Sequence, residues 1–358
     1  QFDPELKSMD DQFFGPFYTA LYKSILSANN VIENSSNATL IGEAKFLRAL
    51  SYFKLVRVFG DVTINLSATP STTDTSILVR QPVADVYNNV IIPDLQAAIG
   101  TLSATIVNGR ASKLAAQGLL GKVYVAMGDF TSAVPHLAAV VNGAAAAGIS
   151  LNGNFADIFV TDLNSEIIFA TQISSSVPDE YGFSDFWTWY GGLDTKTLHP
   201  LTASLIAAFD ASEAGGDTDL RRAVTIDEAN LKSTKYPQAG GPDYDWIELR
   251  LADVILLYAE TLNETGNTSG ALVQLNKIRT RAGLSNSTAT TQAAVRKAIA
   301  DERRLELAYE GQRWFDLVRT GTAQSELGET FDNQYYLFPI PTSEVLSSFG
   351  VITQNPGY

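Results

Sequence analysis

The sequence contains no cysteine and only two histidines among its 358 residues. Without cysteine the chain can form neither a disulfide framework nor a zinc–thiolate site, and it offers no thiolate nucleophile. His136 and His199 lie far apart in sequence, so we predict no multi-histidine metal site and assign no metal ligands. No apolar run reaches the roughly 18 residues that a membrane-spanning helix needs. No phosphate-binding glycine loop is present either, and we predict no cofactor.

Positive charge is also scarce. The chain has 25 lysines and arginines against 39 aspartates and glutamates, which gives a formal net charge of −14. Such a surface repels phosphate backbones, so we predict no nucleic-acid partner. The same field disfavours sulfated polymers and polymers rich in uronic acid. A neutral or cationic ligand therefore fits this chain better.

Helical spacing of apolar residues dominates the pattern. The segments with this spacing are 13–32, 40–58, 111–127, 129–142, 248–264, 269–282 and 291–319. The stretch 166–173 is rich in β-branched residues and indicates a short strand or extended piece. Between 174 and 247 the periodicity is weak and glycines, prolines and aromatic residues are frequent. This stretch therefore indicates an irregular insert.

Two helix pairs share one residue pattern, which indicates an internal repeat. The matching positions are Leu120-Gly121, Tyr124, Gly128-Asp129, Ala133 and Leu137 in the first pair, and Tyr258-Ala259, Leu262, Gly266-Asn267, Ala271 and Leu275 in the second. The spacing is that of tetratricopeptide repeats: a small residue lets two helices approach, and glycine permits a tight turn.

We therefore predict an all-α fold, with a scaffold of tetratricopeptide-type helix pairs and an irregular, loop-rich insert. The expected parts are an N-terminal helical part (10–142), the insert with candidate ligand loops (143–247) and a C-terminal helical part with an irregular tail (248–358). Because the insert is too irregular for a core of its own, we expect 1–358 to form a single structural unit.

Several segments together resemble the SusD/RagB family. The most specific is Glu-Arg-Arg-Leu-Glu-Leu-Ala-Tyr-Glu-Gly-Gln-Arg-Trp-Phe-Asp-Leu-Val-Arg at 302–319. Others are Gly-Glu-Ala-Lys-Phe-Leu-Arg-Ala at 42–49, Gly-Arg-Ala-Ser-Lys at 109–113, Leu-Arg-Leu-Ala-Asp-Val at 249–254 and Phe-Pro-Ile-Pro at 338–341. They occur in the order typical of the family and extend over nearly the whole chain.

This resemblance implies a SusD-like outer-membrane lipoprotein on the extracellular face of the cell. Such proteins bind oligosaccharides and act as a lid on a SusC-like, TonB-dependent transporter. Family members carry a signal peptide and a lipidated cysteine, whereas this sequence opens at Gln1. We expect attachment to the membrane only through an N-terminal lipid of the native precursor.

Four carboxylates in the most specific segment allow two interpretations: Glu302, Glu306, Glu310 and Asp316. Two of them could form the catalytic pair of a glycosidase. Alternatively, nearby arginines could pair with them in a structural network that fixes the last helix to the repeats. Arginine partners lower a carboxyl pKa, which is the wrong direction for a general acid. The sequence therefore favours the network, and we predict no catalytic residues.

Asp217, Asp219, Arg221 and Arg222 form a second charged group, after two glycines. The acidic members could contribute to a calcium site. Because two arginines lie beside them, the sequence favours a set of ion pairs within a loop.

Aromatic residues concentrate in the insert, where they suggest a carbohydrate site. Sugar rings stack on flat aromatic side chains, and their hydroxyls need polar partners. The candidate ligand residues are Tyr181, Asp185, Trp187, Trp189, Tyr190 and Asp194, followed by Tyr244 and Trp246. The alternative is that the rings fill the core between insert and scaffold, as we expect for Phe183 and Phe186.

The predicted function is non-enzymatic capture of oligosaccharide or polysaccharide at the cell surface, for import through a SusC-like transporter. A peptide-binding or protein-interaction scaffold is the main alternative, since tetratricopeptide arrays often serve that role. A glycosidase is the less favoured alternative.

Overall fold

The computed structural model describes residues 14–71, 73–107, 109–174, 201–236 and 245–358. The α-helices are α1 (Gly15–Asn34), α2 (Ala38–Phe59), α3 (Val83–Val86), α4 (Ile92–Thr101), α5 (Lys113–Met127), α6 (Phe130–Gly143), α7 (Ala203–Glu213), α8 (Arg222–Thr225), α9 (Leu251–Glu264), α10 (Thr268–Arg281), α11 (Gln292–Glu306), α12 (Arg313–Arg319), α13 (Ala323–Leu327) and α14 (Thr342–Ser347). The strands are β1 (Val62–Thr63), β2 (Arg80–Gln81), β3 (Ile167–Thr171), β4 (Ile226–Asp227), β5 (Lys232–Ser233) and β6 (Trp246–Arg250). The predicted all-α class is confirmed.

The described chain divides into two compact units. The first comprises 14–103, 111–123 and 315–358, and the second comprises the described residues of 104–110 and 124–314. The division into an N-terminal part, an insert and a C-terminal part within a single unit stays a prediction.

The first unit is built on the hairpin of α1 and α2. Asn37 begins α2 as its N-cap, because its Oδ1 accepts hydrogen bonds from the backbone N–H groups of Thr39 and Leu40 at 2.9 and 3.2 Å. Inside this unit the buried Arg48 donates to Asp94 at 2.7 Å and to Asn29 at 2.8 Å. This pairing satisfies three polar side chains and ties α1, α2 and α4 together.

The two predicted repeats have the same turn geometry. Gly128 and Gly266 both adopt positive φ, at 76° and 88°. The residue after each glycine caps the next helix: Asp129 accepts from the N–H of Ser132 at 3.0 Å, and Asn267 accepts from the N–H of Gly270 at 2.9 Å. The packing positions Ala133, Leu137, Ala271 and Leu275 are all fully buried. The repeat is therefore confirmed at its turns and in its buried positions.

The second unit contains the predicted strand. β3 pairs antiparallel with β6, with Ile167 opposite Arg250 and Thr171 opposite Trp246. The extended piece predicted at 166–173 is confirmed. The predicted start of the next helix at 248 was wrong. Residues 246–250 form β6, and α9 begins at Leu251.

The single helix predicted over 291–319 was also wrong. α11 ends at Glu306, and the chain turns through Tyr309 and Gly311 at φ of 63° and 69° before α12 begins. The carbonyl oxygens of Glu306 and Ala308 accept hydrogen bonds from Lys235 Nζ at 2.9 and 2.8 Å. In a continuing helix these carbonyl oxygens would accept hydrogen bonds from backbone N–H groups. Because the distant Lys235 side chain binds them instead, the end of the helix at this point is favoured.

Candidate functional site

The strand pair β3–β6 has a half-exposed face that carries one of the predicted ligand residues. Along β6, Ile247 and Leu249 are buried, whereas Trp246 and Glu248 are half-buried. Alternate side chains of a strand point to opposite faces, so Trp246 and Glu248 share the outer face. Thr171 lies opposite Trp246 on β3 and is exposed. We call Thr171, Trp246 and Glu248 the ladder face.

The polar groups of the ladder face are joined by a hydrogen bond. Thr171 Oγ1 donates to Glu248 Oε1 at 2.8 Å. The face therefore combines an indole ring with a carboxylate and a hydroxyl group. Such a combination can bind a sugar, because the C–H faces of sugars stack on aromatic rings while their hydroxyls pair with acceptors and donors.

Gly311 lies against the indole of Trp246. A Cβ atom built on Gly311 would come within 3.2 Å of Trp246 Cζ2 and 3.3 Å of Cη2. Both distances are shorter than ordinary van der Waals contact between carbon atoms. Because glycine has no Cβ atom, the Trp246 ring can occupy this space.

Asp245 closes one end of the strand pair. Its Oδ1 accepts a hydrogen bond from the backbone N–H of Ile173 at 3.0 Å. Burial raises the pKa of Asp245, and the nearby Asp162 raises it further, although the bond from Ile173 opposes both. In sequence, 175–200 come after β3 and 237–244 come before β6.

Seven of the eight predicted ligand residues lie outside the described residues: Tyr181, Asp185, Trp187, Trp189, Tyr190, Asp194 and Tyr244. Sequence reasoning identified Trp246 but missed Thr171, Glu248 and Gly311. The period-two pattern of Trp246, Ile247, Glu248 and Leu249 was the available signal for Glu248.

Arg250, at the far end of β6, joins three buried glutamates. Its Nη1 donates to Glu166 Oε1 at 2.8 Å and to Glu306 Oε1 at 2.6 Å. Its Nε donates to Glu310 Oε2 at 2.7 Å. The guanidinium is buried, so these contacts replace the water that it has lost.

Lys235 is fully buried beside the same glutamates. Besides the carbonyls of Glu306 and Ala308, its ammonium donates to Glu310 Oε1 at 2.6 Å. It also lies 4.7 Å from the centre of the Phe159 ring, within the range of a cation–π contact. Burial lowers the pKa of Lys235 to about 8, although Glu310 acts in the opposite direction.

Arg221, Arg281 and the partly exposed Arg279, which contacts Glu302 at 3.1 Å, complete this set. Arg221 contacts Asp219 at 2.8 Å, Glu302 at 2.6 Å and Glu306 at 3.1 Å. Arg281 pairs with Glu166 at 3.1 Å and also with Glu306. We call the following residues the buried ion cluster: Arg221, Lys235, Arg250, Arg279, Arg281, Glu166, Asp219, Glu302, Glu306 and Glu310.

The predicted ion-pair network is thereby confirmed for Glu302, Glu306 and Glu310. Burial alone would raise the pKa of Glu306, but Arg281, Arg250 and Arg221 hold it well below its ordinary value. The pKa of Glu310 is likewise lowered by Arg250 and Lys235 against the effect of burial. Asp316 instead pairs with Arg319 at 2.8 Å. Carboxyl groups with lowered pKa values make poor general acids at neutral pH.

The charged residues at 217–222 pair with different partners. Asp219 pairs with Arg221, whereas Asp217 accepts hydrogen bonds from Ser285 at 2.8 Å. Arg222 contacts Asp210 at 2.8 Å and Glu213 at 2.7 Å. The favoured ion pairs are present, and within the described ranges no cluster of three or more acidic or histidine side chains could hold a metal ion.

These features define a helical protein with tetratricopeptide-like helix pairs and a ladder face that combines an aromatic ring with polar groups. Sequence models agree: one described as "SusD family" matches 225–334, and one described as "Starch-binding associating with outer membrane" matches 2–125. The chain belongs to the SusD/RagB family. This family comprises SusD-like, glycan-binding proteins that associate with the outer membrane.

Individual proteins are similar along nearly the whole chain. "SusD-like protein P2" of Formosa agariphila is 28% identical, and the match covers 98% of this chain and 81% of that protein. A solved "Laminarin binding SusD-like protein" is 27% identical with a TM-score of 0.75, covering 96% of this chain and 85% of the other. A SusD superfamily protein from Parabacteroides distasonis has a TM-score of 0.79 at 23% identity, covering 97% and 86%, and supports the fold.

In the parts of the chain that the structure describes, no helix has the length and apolar character needed to cross a membrane.

Proposed function

We propose that this protein captures neutral oligosaccharides at the cell surface and delivers them to a SusC-like, TonB-dependent transporter. In this proposal the protein is held at the outer membrane by an N-terminal lipid of its native form. It binds the glycan without cleaving it.

The observation that carries the proposal is the similarity to a laminarin-binding SusD-like protein over 96% of this chain. Laminarin is a neutral glucan, and a protein with a net charge of −14 has no electrostatic penalty against a neutral ligand. Neutral glucans are therefore the first ligands to test.

The ladder face supports carbohydrate as the ligand. Trp246 supplies a ring for stacking, and Glu248 with Thr171 supplies polar groups beside it. Tyr244 lies two residues before Trp246 in sequence, and the aromatic residues at 181–190 follow β3, which ends at Thr171 opposite Trp246. We therefore propose that they extend the same site.

The buried ion cluster supports binding without cleavage. Its glutamates are buried and paired with arginine or lysine, and the pKa values of Glu306 and Glu310 are lowered. Inverting and retaining glycosidases both need an accessible acid whose pKa is raised. Glu302, Glu306 and Glu310 are buried and therefore not accessible to a substrate. The pKa values of Glu306 and Glu310 are lowered rather than raised.

Isothermal titration calorimetry with laminarin, soluble starch and a mixed peptide library tests the proposal. We expect heat of binding with at least one glucan and none with the peptides. Trp246→Ala should weaken glucan binding about ten-fold or more, because it removes the stacking ring. Phe349→Ala is the control, since Phe349 is an aromatic residue that is 96% exposed and not part of the ladder face.

The same titration separates the alternatives. Binding of peptides without binding of glucans would support a protein-interaction scaffold and contradict the proposal. Trp187→Ala and Trp189→Ala should also abolish glucan binding while changing the melting temperature by only a few degrees. If both variants bind normally, or if each one unfolds the protein, the 181–190 segment is not the ligand site. Delivery to a transporter predicts that the native protein co-purifies with a TonB-dependent barrel from outer membranes.

A further inference from the structure

The indole of Trp246 rests on a backbone segment whose shape is unusual. Gly311 lies at φ +69°, two residues after Tyr309 at φ +63°. Tyrosine seldom adopts such a left-handed conformation, so the surrounding structure must hold it there. This segment is the turn between α11 and α12.

Two cations of the buried ion cluster, Lys235 and Arg250, hold the segment in place. Lys235 binds the carbonyl oxygens of Glu306 and Ala308, and the Glu310 carboxylate is held by Lys235 and Arg250. Gly311 follows Glu310 directly, so its position is fixed by these buried contacts. Arg250 also ends the strand that begins at Trp246. Arg250 thus links the strand that carries Trp246 to the segment that contains Gly311.

We propose that Gly311 is a positioning residue, which sets the orientation of the Trp246 ring for stacking against the glycan. This inference rests on the proposed function. A side chain at 311 would meet Cζ2 and Cη2 of the indole at 3.2 and 3.3 Å. Since β6 is hydrogen-bonded to β3, the ring must yield rather than the strand. A ring displaced by a few tenths of an ångström or more would stack less well on a sugar.

The substitution Gly311→Ala tests this role, and Gly321→Ala is its matched control. Gly321 has nearly the same backbone conformation, at φ +67°, but nothing lies within 4 Å of the position of its Cβ atom. Both variants therefore introduce alanine into a left-handed backbone, and only Gly311→Ala adds an atom against the ring. Trp246 fluorescence, assigned by difference from Trp246→Phe, and laminarin affinity by calorimetry are the two measurements.

We expect Gly311→Ala to shift the Trp246 emission and to weaken laminarin binding about three- to ten-fold, whereas Gly321→Ala changes neither. Phenylalanine lacks the Cζ2 and Cη2 atoms of the indole. In the Trp246→Phe background, Gly311→Ala should therefore cause no further loss of affinity. This double variant removes the steric contact and keeps the test valid if Gly311→Ala alone folds poorly.

Unchanged emission and unchanged laminarin affinity in Gly311→Ala would overturn the inference. Equal losses in Gly311→Ala and Gly321→Ala would overturn it too, because a general backbone effect would then explain them. Failure of the unsubstituted protein to bind any glucan would instead contradict the proposed function. In that case the emission shift would still decide whether Gly311 positions the ring.

Discussion

Lys235 is a buried ammonium group whose protonation should change the stability of the protein with pH. Burial lowers its pKa from an ordinary 10.5 to about 8. Between these two values the unfolded chain binds the proton more tightly than the folded chain. Raising the pH from 8 to 10.5 therefore increases the free energy of unfolding, by about 3 kcal/mol from this group alone.

Comparison with Lys235→Met isolates this effect, because the variant cannot titrate at this position. The difference in unfolding free energy between the two proteins, measured by urea denaturation, should move in favour of the unsubstituted protein between pH 8 and 10.5. Tyrosine ionisation in the same range cancels in the difference. A difference that stays constant with pH would show that the pKa of Lys235 is not lowered.

Arg250 should be far more important for stability than an exposed arginine. Arg250→Met leaves Glu166, Glu306 and Glu310 buried without one of their main partners. We expect a loss of about 3–5 kcal/mol in unfolding free energy. Arg296→Met is the control, since the Arg296 side chain is 50% exposed and pairs only with Glu264 in the described contacts, which should contribute about 1 kcal/mol or less.

Urea unfolding at pH 7 measures both variants. Equal small losses would mean that the buried charges tolerate the missing partner, for example by taking up protons. The cluster would then be less dependent on Arg250 than its geometry indicates.

At the scale of elements, the two repeat turns should respond equally to substitution. No atom lies within 4 Å of an added Cβ at either Gly128 or Gly266, so alanine costs only backbone conformational energy there. We expect Gly128→Ala and Gly266→Ala each to destabilise the protein by about 1 kcal/mol.

Gly100, within α4, provides the contrast for these turn variants. It also has no atom within 4 Å of an added Cβ, but its φ is not positive. Alanine favours helix more than glycine does, so Gly100→Ala should raise the unfolding free energy by up to about 1 kcal/mol. Thermal melts measure all three variants. A gain of stability in either turn variant would contradict the repeat geometry.

The repeat turns could be predicted from sequence because their determinants are local. Gly128 with Asp129, and Gly266 with Asn267, each specify a turn and a helix cap within four residues. The break after Glu306 could not be predicted in this way. Its carbonyl groups are bound by Lys235, 71 and 73 residues away in sequence, and no local pattern reveals that contact.

The candidate site was predictable only in part, for the same reason. Trp246 was recognisable as an aromatic residue next to an irregular stretch. Glu248 belongs beside it only because 246–250 is a strand, whereas the sequence pattern placed the start of a helix at 248. Gly311 touches the indole from 65 positions further along the chain, so only the folded structure brings them together.

At the scale of the whole molecule, charge should select against anionic glycans. The buried ion cluster has as many acidic as basic members, so the net charge of −14 comes from the other residues. Carboxylated polymers such as alginate should therefore not bind at low ionic strength. Laminarin affinity should change less than two-fold between low salt and about 0.5 M salt, where charges are screened. Alginate binding tighter than laminarin binding would contradict this account.

The most direct test of the account is to measure binding and cleavage of laminarin in the same sample. Calorimetry should show saturable binding, and chromatography after prolonged incubation should show an unchanged distribution of chain lengths. Shorter products that appear with the unsubstituted protein and disappear with Glu302→Gln would contradict binding without catalysis. A complete lack of binding to laminarin, starch and other neutral glucans would contradict the proposal of glycan capture itself.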